Sequence, residues 1–308
     1  MKILLTGGAG FIGSHLLEKL LGRGDDVAVI DDFNDYYDPG LKRRNLPSSG
    51  FRLYEKDIRE SAEIVAREKP DVLIHLAARA GVRPSLQDPL LYDSVNVGGT
   101  LTLLEACRRT GVPRFLFASS SSVYGDTKVP FREDDLSLQP VSPYGITKLL
   151  GEHYVRAYTR FHGLRATCLR FFTVYGRRLR PDMAIHSFTR AILDGREVPM
   201  FGDGTTERDY THVGDIVQGI LGALDHAEMF AIYNLGESRT IPLRRMIALL
   251  EQYVGKKAVI KQLPPQAGDV RRTYASIDRA RQNLGYAPKV AFEDGVKDFV
   301  EWYVGQKG

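Results

Sequence analysis

Tyr144 and Lys148 stand four residues apart in the segment Pro140-Val141-Ser142-Pro143-Tyr144-Gly145-Ile146-Thr147-Lys148. On a helix that spacing puts the phenol and the ammonium on one face. A cation beside a phenol stabilises the phenolate and lowers its pKa from about 10 toward neutrality. A phenol tuned in this way takes a proton from a substrate hydroxyl. Such pairs are also common on plain helix surfaces, so the surroundings decide. Upstream, the apolar run 115–118 ends in Ser119-Ser120-Ser121-Ser122-Val123-Tyr124-Gly125. Four hydroxyls where a buried strand ends are either a polar turn or a ligand-facing cluster, because α/β sheets bind ligands at the carboxyl ends of their strands.

A third cluster lies near the N-terminus. The apolar run 3–6 breaks into Gly7-Gly8-Ala9-Gly10-Phe11-Ile12-Gly13, and a helical pattern follows. Glycines at this spacing allow a tight turn and let a pyrophosphate approach backbone N–H groups at a helix N-terminus. Strand before and helix after is the context the motif requires. The next apolar run ends in Asp31-Asp32. A carboxylate there accepts a hydrogen bond from an adenosine ribose and repels a 2′-phosphate, which favours NAD over NADP. Lys42, Arg43 and Arg44 are the competing signal, since cations there would take a 2′-phosphate.

These groups need a scaffold, and the pattern supplies one. Residues 3–6, 27–30, 72–76 and 115–119 read as short buried parallel strands, because they are aliphatic and do not alternate. Helical stretches fall at about 14–21, 62–68 and 91–110, with Gly22 and Gly24 closing the first. A further helix starts near Pro143, and a strand follows at 166–172. The expected fold is α/β: a doubly wound parallel sheet of the Rossmann kind with a smaller C-terminal α/β domain. Beyond residue 172 Pro, Gly and Arg become denser. Residues 1–172, with about 208–236 returning to them, are the expected cofactor domain. Residues 173–207 and 237–308 are the expected substrate domain.

Composition bounds the rest. The chain has 308 residues, 43% hydrophobic and 26% charged, with 42 Lys plus Arg against 38 Asp plus Glu. That is the balance of an ordinary globular protein. A net charge of +4 does not point to nucleic acid, but a local Arg cluster would suit a small anion. Cys107 and Cys168 have neither disulfide nor zinc spacing and read as buried thiols, and no metal site is expected. The N-terminal apolar stretch is too short for a signal peptide, no membrane span is expected, and a cytoplasmic location follows.

Taken together, the glycine turn, the acid after the second strand, the serine-rich strand end with Val123-Tyr124-Gly125 and the Tyr144/Lys148 pair resemble the extended short-chain dehydrogenase/reductases. The resemblance runs from Gly7 to about Tyr303. It is narrowest to the NAD-dependent nucleotide-sugar 4-epimerases, and within them to those acting on UDP-glucuronate. The stretches that carry it are Asp31-Asp32-Phe33-Asn34-Asp35-Tyr36-Tyr37-Asp38, Ala77-Ala78-Arg79-Ala80-Gly81-Val82-Arg83, residues 169–176, Arg180-Pro181-Asp182-Met183-Ala184 and Gln266-Ala267-Gly268-Asp269-Val270.

The resemblance implies Tyr144 as base, Lys148 as its partner and cofactor contact, and Ser120 as the hydroxyl on the reacting oxygen. It implies an NAD site from Gly7, Gly10, Phe11, Ile12, Gly13, Asp31, Asp32, Asn34, Lys42, Asp57, Ile58, Leu76, Ala77, Ala78 and Asn96. A UDP-sugar would meet Arg83, Ser120, Ser121, Ser122, Thr173, Arg180, Phe201, Arg208 and Asp269, with Arg180 or the neutral hydroxyls on a sugar carboxylate. Related dehydratases and decarboxylases carry an acid where Ser122 stands, so its absence favours epimerisation. A neutral UDP-hexose is the alternative substrate, and a non-catalytic NAD sensor the remote alternative. Family members pair through helices, so a homodimer is expected.

Overall fold

The computed structural model describes residues 1–265 and 270–306. Seven strands form one sheet: β1 (Lys2–Thr6), β2 (Asp26–Asp31), β3 (Phe51–Glu55), β4 (Val72–His75), β5 (Arg114–Ser120), β6 (Arg165–Phe171) and β7 (Phe230–Leu235). Every neighbouring pair is parallel, and the order across the sheet is β7-β6-β5-β4-β1-β2-β3. The order reverses beside β1, and a crevice opens there at the strands' carboxyl ends. Both faces are covered, which explains the unbroken apolar runs. In β1, Ile3 and Leu5 join one apolar core and Leu4 the other.

The helices that matter for the site are α1 (Phe11–Gly22), α2 (Ala62–Glu68), α3 (Gly99–Thr110), α4 (Pro143–His162) and α5 (Val213–Asp225). α1 begins at Phe11, one turn before the expected Ser14, because Gly10 already serves as its N-cap. α4 has Ser142 as N-cap, accepting from Gly145 N–H, and Pro143 in its first turn. The stretch 91–110 is not one regular helix. A short turn, Pro89–Tyr92, leads into a π-helical segment, Asp93–Gly98, and then α3. The wider turn carries Asn96, whose amide donates to Arg79 O at 3.0 Å and accepts from Arg79 N at 2.8 Å.

Among the described residues beyond β6, besides α5, the chain contributes four further helices, Ala184–Leu193, Leu243–Val254, Asp278–Leu284 and Phe292–Gly305, and three two-stranded ladders. Among the described residues no helix is long and apolar enough to cross a membrane. Cys107 and Cys168 are buried and unpaired with each other.

β3 is absent from the sequence reading because it is an edge strand with three of its five residues exposed. Polar contacts hold it. Arg52 forks onto Glu68 at the end of α2 (3.0 and 3.2 Å) and reaches Asp26 in β2 at 2.6 Å. Tyr54 O–H and Lys2 bind the same Glu68 carboxylate. Burial works against that charge, but Arg52, Tyr54 and Lys2 outweigh it and hold the carboxyl down at about 2. A depressed acid contributes stability above its unfolded pKa of about 4.5 and loses it as pH falls toward the folded value. The Glu68→Gln protein should therefore melt below wild type at pH 7, with the gap closing between about pH 4.5 and 2. Melting curves across that range check this; a gap independent of pH would contradict it.

Candidate active site

The turn between β1 and α1 is packed so tightly that only glycine fits. Gly7 has φ +73° and donates to Ile30 O at 2.8 Å. A Cβ on Gly7 would lie 2.7 Å from Ala77 N, and one on Gly13 only 2.0 Å from Gly7 O. A Cβ on Gly10 would meet only Gly7 O, at 3.2 Å; Gly10 borders the crevice. No side chain caps the first N–H groups of α1. Arg79, which also lines the cleft, has its Nε buried with no partner among the described residues. Free N–H groups at a helix start and an unpartnered guanidinium N–H in the same cleft fit a diphosphate.

One cleft runs from this turn. Its walls include Gly7, Gly10, Phe11, Ile12, Gly13, Asp31, Asp32, Asn34, Lys42, Asp57, Ile58, Leu76, Ala77 and Ala78, with Tyr144 and Lys148. Asn96 does not line it. That residue stands behind the wall, clamping Arg79 and donating to Thr147 Oγ1 at 3.1 Å, so it positions the 77–80 loop. Tyr36, Tyr37, Arg79 and Arg180 also line the cleft. The first three lie within stretches that carry the family resemblance, but residue type alone gave them no role.

The acids after β2 divide their work. Asp31 is turned inward, accepting from Ala9 N and Phe33 N, both at 3.0 Å, and so fixes the glycine turn as well as bordering the cleft. Burial raises its pKa, against those two bonds. Asp32 accepts from Asn34 N at 3.1 Å and Asn34 Nδ2 at 2.6 Å. Of the three downstream cations only Lys42 lines the cleft, and it donates to Asn34 O and Oδ1 at 2.7 and 3.0 Å. Arg43 is drawn away to Glu55. Asp57 caps its own turn and holds Arg59.

The Leu76-Ala77-Ala78 wall is set by a buried relay. Thr100 donates to Asn96 O, so His75 Nε2 must donate to Thr100 Oγ1, and His75 Nδ1 then accepts from Thr6 Oγ1 at 2.7 Å. Thr6 Oγ1 in turn accepts from Ala77 N. Burial pushes His75 down to about 3, so the ring stays neutral and serves as a spacer.

Tyr144 and Lys148 are on one face of α4, at the inner end of the cleft. The expected charge coupling is weaker than their spacing suggests. Lys148 Nζ lies 6.0 Å from the Tyr144 ring centre and donates to Ala118 O at 2.7 Å. Burial raises the Tyr144 pKa; a hydrogen bond with Ser120 and the charge of Arg180 work against it. The groups tuning the phenol therefore come from β5 and the 180 loop. Lys148 is pushed down to about 8 by burial, with Glu152 opposing.

The four serines are not equivalent. Ser119 borders the cleft and donates to Glu152, whereas Ser120, Ser121 and Ser122 are not among its lining residues. Ser120 ends β5, accepts from Ser122 N and donates to Ser122 Oγ, both at 3.1 Å. Ser121 and Ser122 sit in the following turn, Ser121–Val123, and are partly exposed.

Among the residues expected on the sugar nucleotide, Thr173 opens the ladder Thr173–Tyr175 with its side chain partly exposed. Arg83 lies over the Phe201 ring at 4.7 Å, and Arg208 donates to Glu207 O at 2.9 Å. Arg180, expected on the sugar, lines the cleft and is already paired within the protein. Its Nε and NH2 fork onto both Asp182 oxygens at 3.0 and 2.9 Å, and Tyr36 O–H donates to the same carboxylate. Burial works against the Asp182 charge, but that fork wins and keeps its pKa low. Asp269 lies outside the described residues.

Comparison with known proteins agrees with this geometry. A family model described as the NAD dependent epimerase/dehydratase family matches residues 3–236. UDP-glucuronate 4-epimerase 5 of Arabidopsis thaliana is 43% identical over 99% of this chain and 76% of its own. The crystal structure of UDP-glucuronic acid 4-epimerase from Bacillus cereus, in complex with UDP-glucuronic acid and NAD, superposes with a TM-score of 0.94 at 36% identity, covering 99% of this chain and all of that one. A UDP-glucose 4-epimerase from Thermotoga maritima, solved with UDP-glucose, gives 0.93 at 36% identity over the full length of both. The cleft, the Tyr-Lys helix and these likenesses place the chain in the NAD dependent epimerase/dehydratase family.

Proposed function

We propose that the protein inverts C4 of UDP-glucuronate to give UDP-galacturonate, using NAD that is regenerated in each turnover. The observation that carries this reading is the distribution of acids along the cleft. Asp31, Asp32 and Asp57 border the end beside β2 and β3, whereas the carboxylate behind the Tyr144 end, Asp182, is already spent on Arg180 and Tyr36. Dehydration needs an acid to protonate a departing hydroxyl; Ser122 stands where related dehydratases carry one. The end with a base and no free acid suits oxidation and return.

NAD, when bound, supplies the hydride acceptor and donor. The glycine turn and the start of α1 would hold its diphosphate, and Asp31 or Asp32 its ribose. Tyr144 takes the C4 hydroxyl proton and later returns one, with the Ser120 hydroxyl favouring the phenolate. Lys148 has three N–H donors and spends one on Ala118 O, leaving two for groups in the cleft. Arg83, Phe201, Arg208 and Asp269 are assigned to the UDP, and Ser121, Ser122, Thr173 and Arg180 to the sugar. A 4-keto uronate is a β-keto acid, so its carboxylate must be held out of line with the carbonyl π system. Neutral hydroxyls can do so, with Arg180 shared between Asp182 and the substrate.

The same reading assigns residues 1–172 with 208–236 to the cofactor domain, since β7 completes the sheet, and the remainder to the sugar nucleotide. It also assigns a homodimer: Ile146, Leu150, Tyr154 and Phe161 leave an exposed apolar stripe along α4. Two buried free thiols suit a cytoplasmic location. A neutral UDP-hexose remains the alternative substrate, given the likeness to the UDP-glucose enzyme.

Incubation with UDP-glucuronate should give UDP-galacturonate with little pentose product and no stoichiometric NADH. The Tyr144→Phe protein should keep its fold and lose about 10²–10⁴ in kcat. Chromatography of the sugar nucleotides reads both; a preference for UDP-glucose would select the alternative. Because Asp182 already occupies the Arg180 fork, Arg180→Ala should cost only about tenfold in kcat/KM on the uronate, the low end for a charged hydrogen bond. It should cost less on UDP-glucose, and equal losses on the two sugars would remove Arg180 from carboxylate recognition.

A further inference from the structure

One turn beyond Lys148, Glu152 is buried inside the protein with Arg170 of β6. The pair is bidentate: Arg170 Nε to Oε1 at 2.9 Å and NH2 to Oε2 at 2.7 Å. Ser119 adds a third bond to Oε1 at 2.5 Å. Arg170 NH1 continues to Tyr124 O–H at 2.8 Å, and Tyr124 donates to Asn234 at the same distance. Asn234 then ties down Phe131 O and Ser276 O. A buried ion pair is poor evidence of a stabilising role, because apolar residues of similar volume often do as well or better. The position of this one suggests another use. Glu152 shares a helix face with Lys148, and its carboxylate grips the strand whose Ala118 O accepts the Lys148 ammonium.

We propose that Glu152 is a positioning residue for the reaction: anchored by Arg170, it keeps the buried Lys148 side chain charged and fixes the end of β5 through Ser119. The proposal rests on the epimerase reading for the role of Lys148.

The groups around Lys148 leave the task to Glu152. From its own helix come Tyr144 and Glu152. From β5 come the Ala118 carbonyl and the Phe117 ring, 5.0 Å from Nζ. From β4 comes His75, neutral and held by Thr6 and Thr100. Arg170 and Cys168 face Glu152 from β6, and burial together with Glu152 pushes the Cys168 thiol up. Glu152 is thus the anionic group beside Lys148 among these neighbours, and the bidentate Arg170 fork fixes where its carboxylate sits.

The test uses the protein as purified, with [¹³C]lysine labelling to follow the Lys148 titration by NMR, the signal being assigned with Lys148→Arg. Glu152→Gln should lower the Lys148 midpoint by at least about one pH unit, the lower end for an opposite charge nearby. Fewer charged Lys148 side chains at pH 8 mean that the alkaline limb of the kcat profile moves down in step. At pH 8 kcat should fall about fivefold or more with KM within about twofold. The double variant Glu152→Met/Arg170→Met refills the space without charges. It should regain wild-type melting yet keep the lowered Lys148 midpoint. If either variant titrates Lys148 at the wild-type pH, Glu152 is only a packing partner and the proposal is overturned. Wild type run beside them, with Tyr144→Phe as the blank, keeps the two claims apart. A wild type that fails to epimerise would refute the reaction assignment, while the NMR midpoint would still decide the role of Glu152.

Discussion

α4 lies so close to β5 that neither of two of its residues can carry a side chain. A Cβ on Gly151 would fall 2.4 Å from the Phe117 ring, and one on Gly145 would fall 2.6 Å from Ser122 O. Both glycines have ordinary helical backbone, so their value lies in the missing Cβ. This close contact fixes the distance between the Tyr144-Lys148 face and the serine turn. It lets Lys148 reach Ala118 O, lets Glu152 reach Ser119, and brings the Tyr144 phenol to Ser120. A helix held a side chain's width farther away would preserve every residue of the motif and lose the site.

The same economy of space governs the other end of the cleft. There the carboxyl ends of β1 and β4 approach until Gly7 touches Ala77, and the Thr6–His75–Thr100 relay locks that contact from below. Asp31 locks it from the side through Ala9 N and Phe33 N. An acid that reads from sequence as a ribose contact is therefore first a builder of the turn. Its buried carboxylate can still accept from a ligand, since each oxygen has a second lone pair.

The parallel strands β1, β2, β4, β5 and β6 were legible because burial on both faces leaves apolar runs that no other element shares. The glycine turn and the Tyr-Lys pair were legible because their chemistry depends on spacing within one segment. What stayed hidden depends on contacts distant in sequence. β3 is held by Arg52 and Tyr54 on Glu68, and nothing in Phe51–Glu55 alone announces it. The π-helical turn at Asp93–Gly98 follows the needs of Asn96, which answers to Arg79 and Thr147. The pairing of Arg180 with Asp182, and of Asp182 with Tyr36 from far upstream, appears only on folding. The lowered phenol pKa expected from the i, i+4 rule fails similarly: Lys148 shares the face but is turned to the Ala118 carbonyl.

The cleft is built with two kinds of rigidity, and inversion at C4 needs both. On the cofactor side the walls are held by backbone groups: Gly7 N–H on Ile30 O, Ala77 N–H on Thr6, Ala9 N–H on Asp31. Moving any of them requires moving a strand end. On the side assigned to the sugar the contacts are side-chain ends, the Ser120–Ser122 hydroxyls and the Arg180–Asp182–Tyr36 cluster. Hydroxyls and a guanidinium fork can exchange hydrogen-bond partners without moving a strand end. A sugar that must present first one face and then the other to a fixed hydride acceptor can turn among such groups while the walls stay still. The Tyr144 phenol serves both faces because it is carried on α4, the element whose distance from β5 leaves no room to drift.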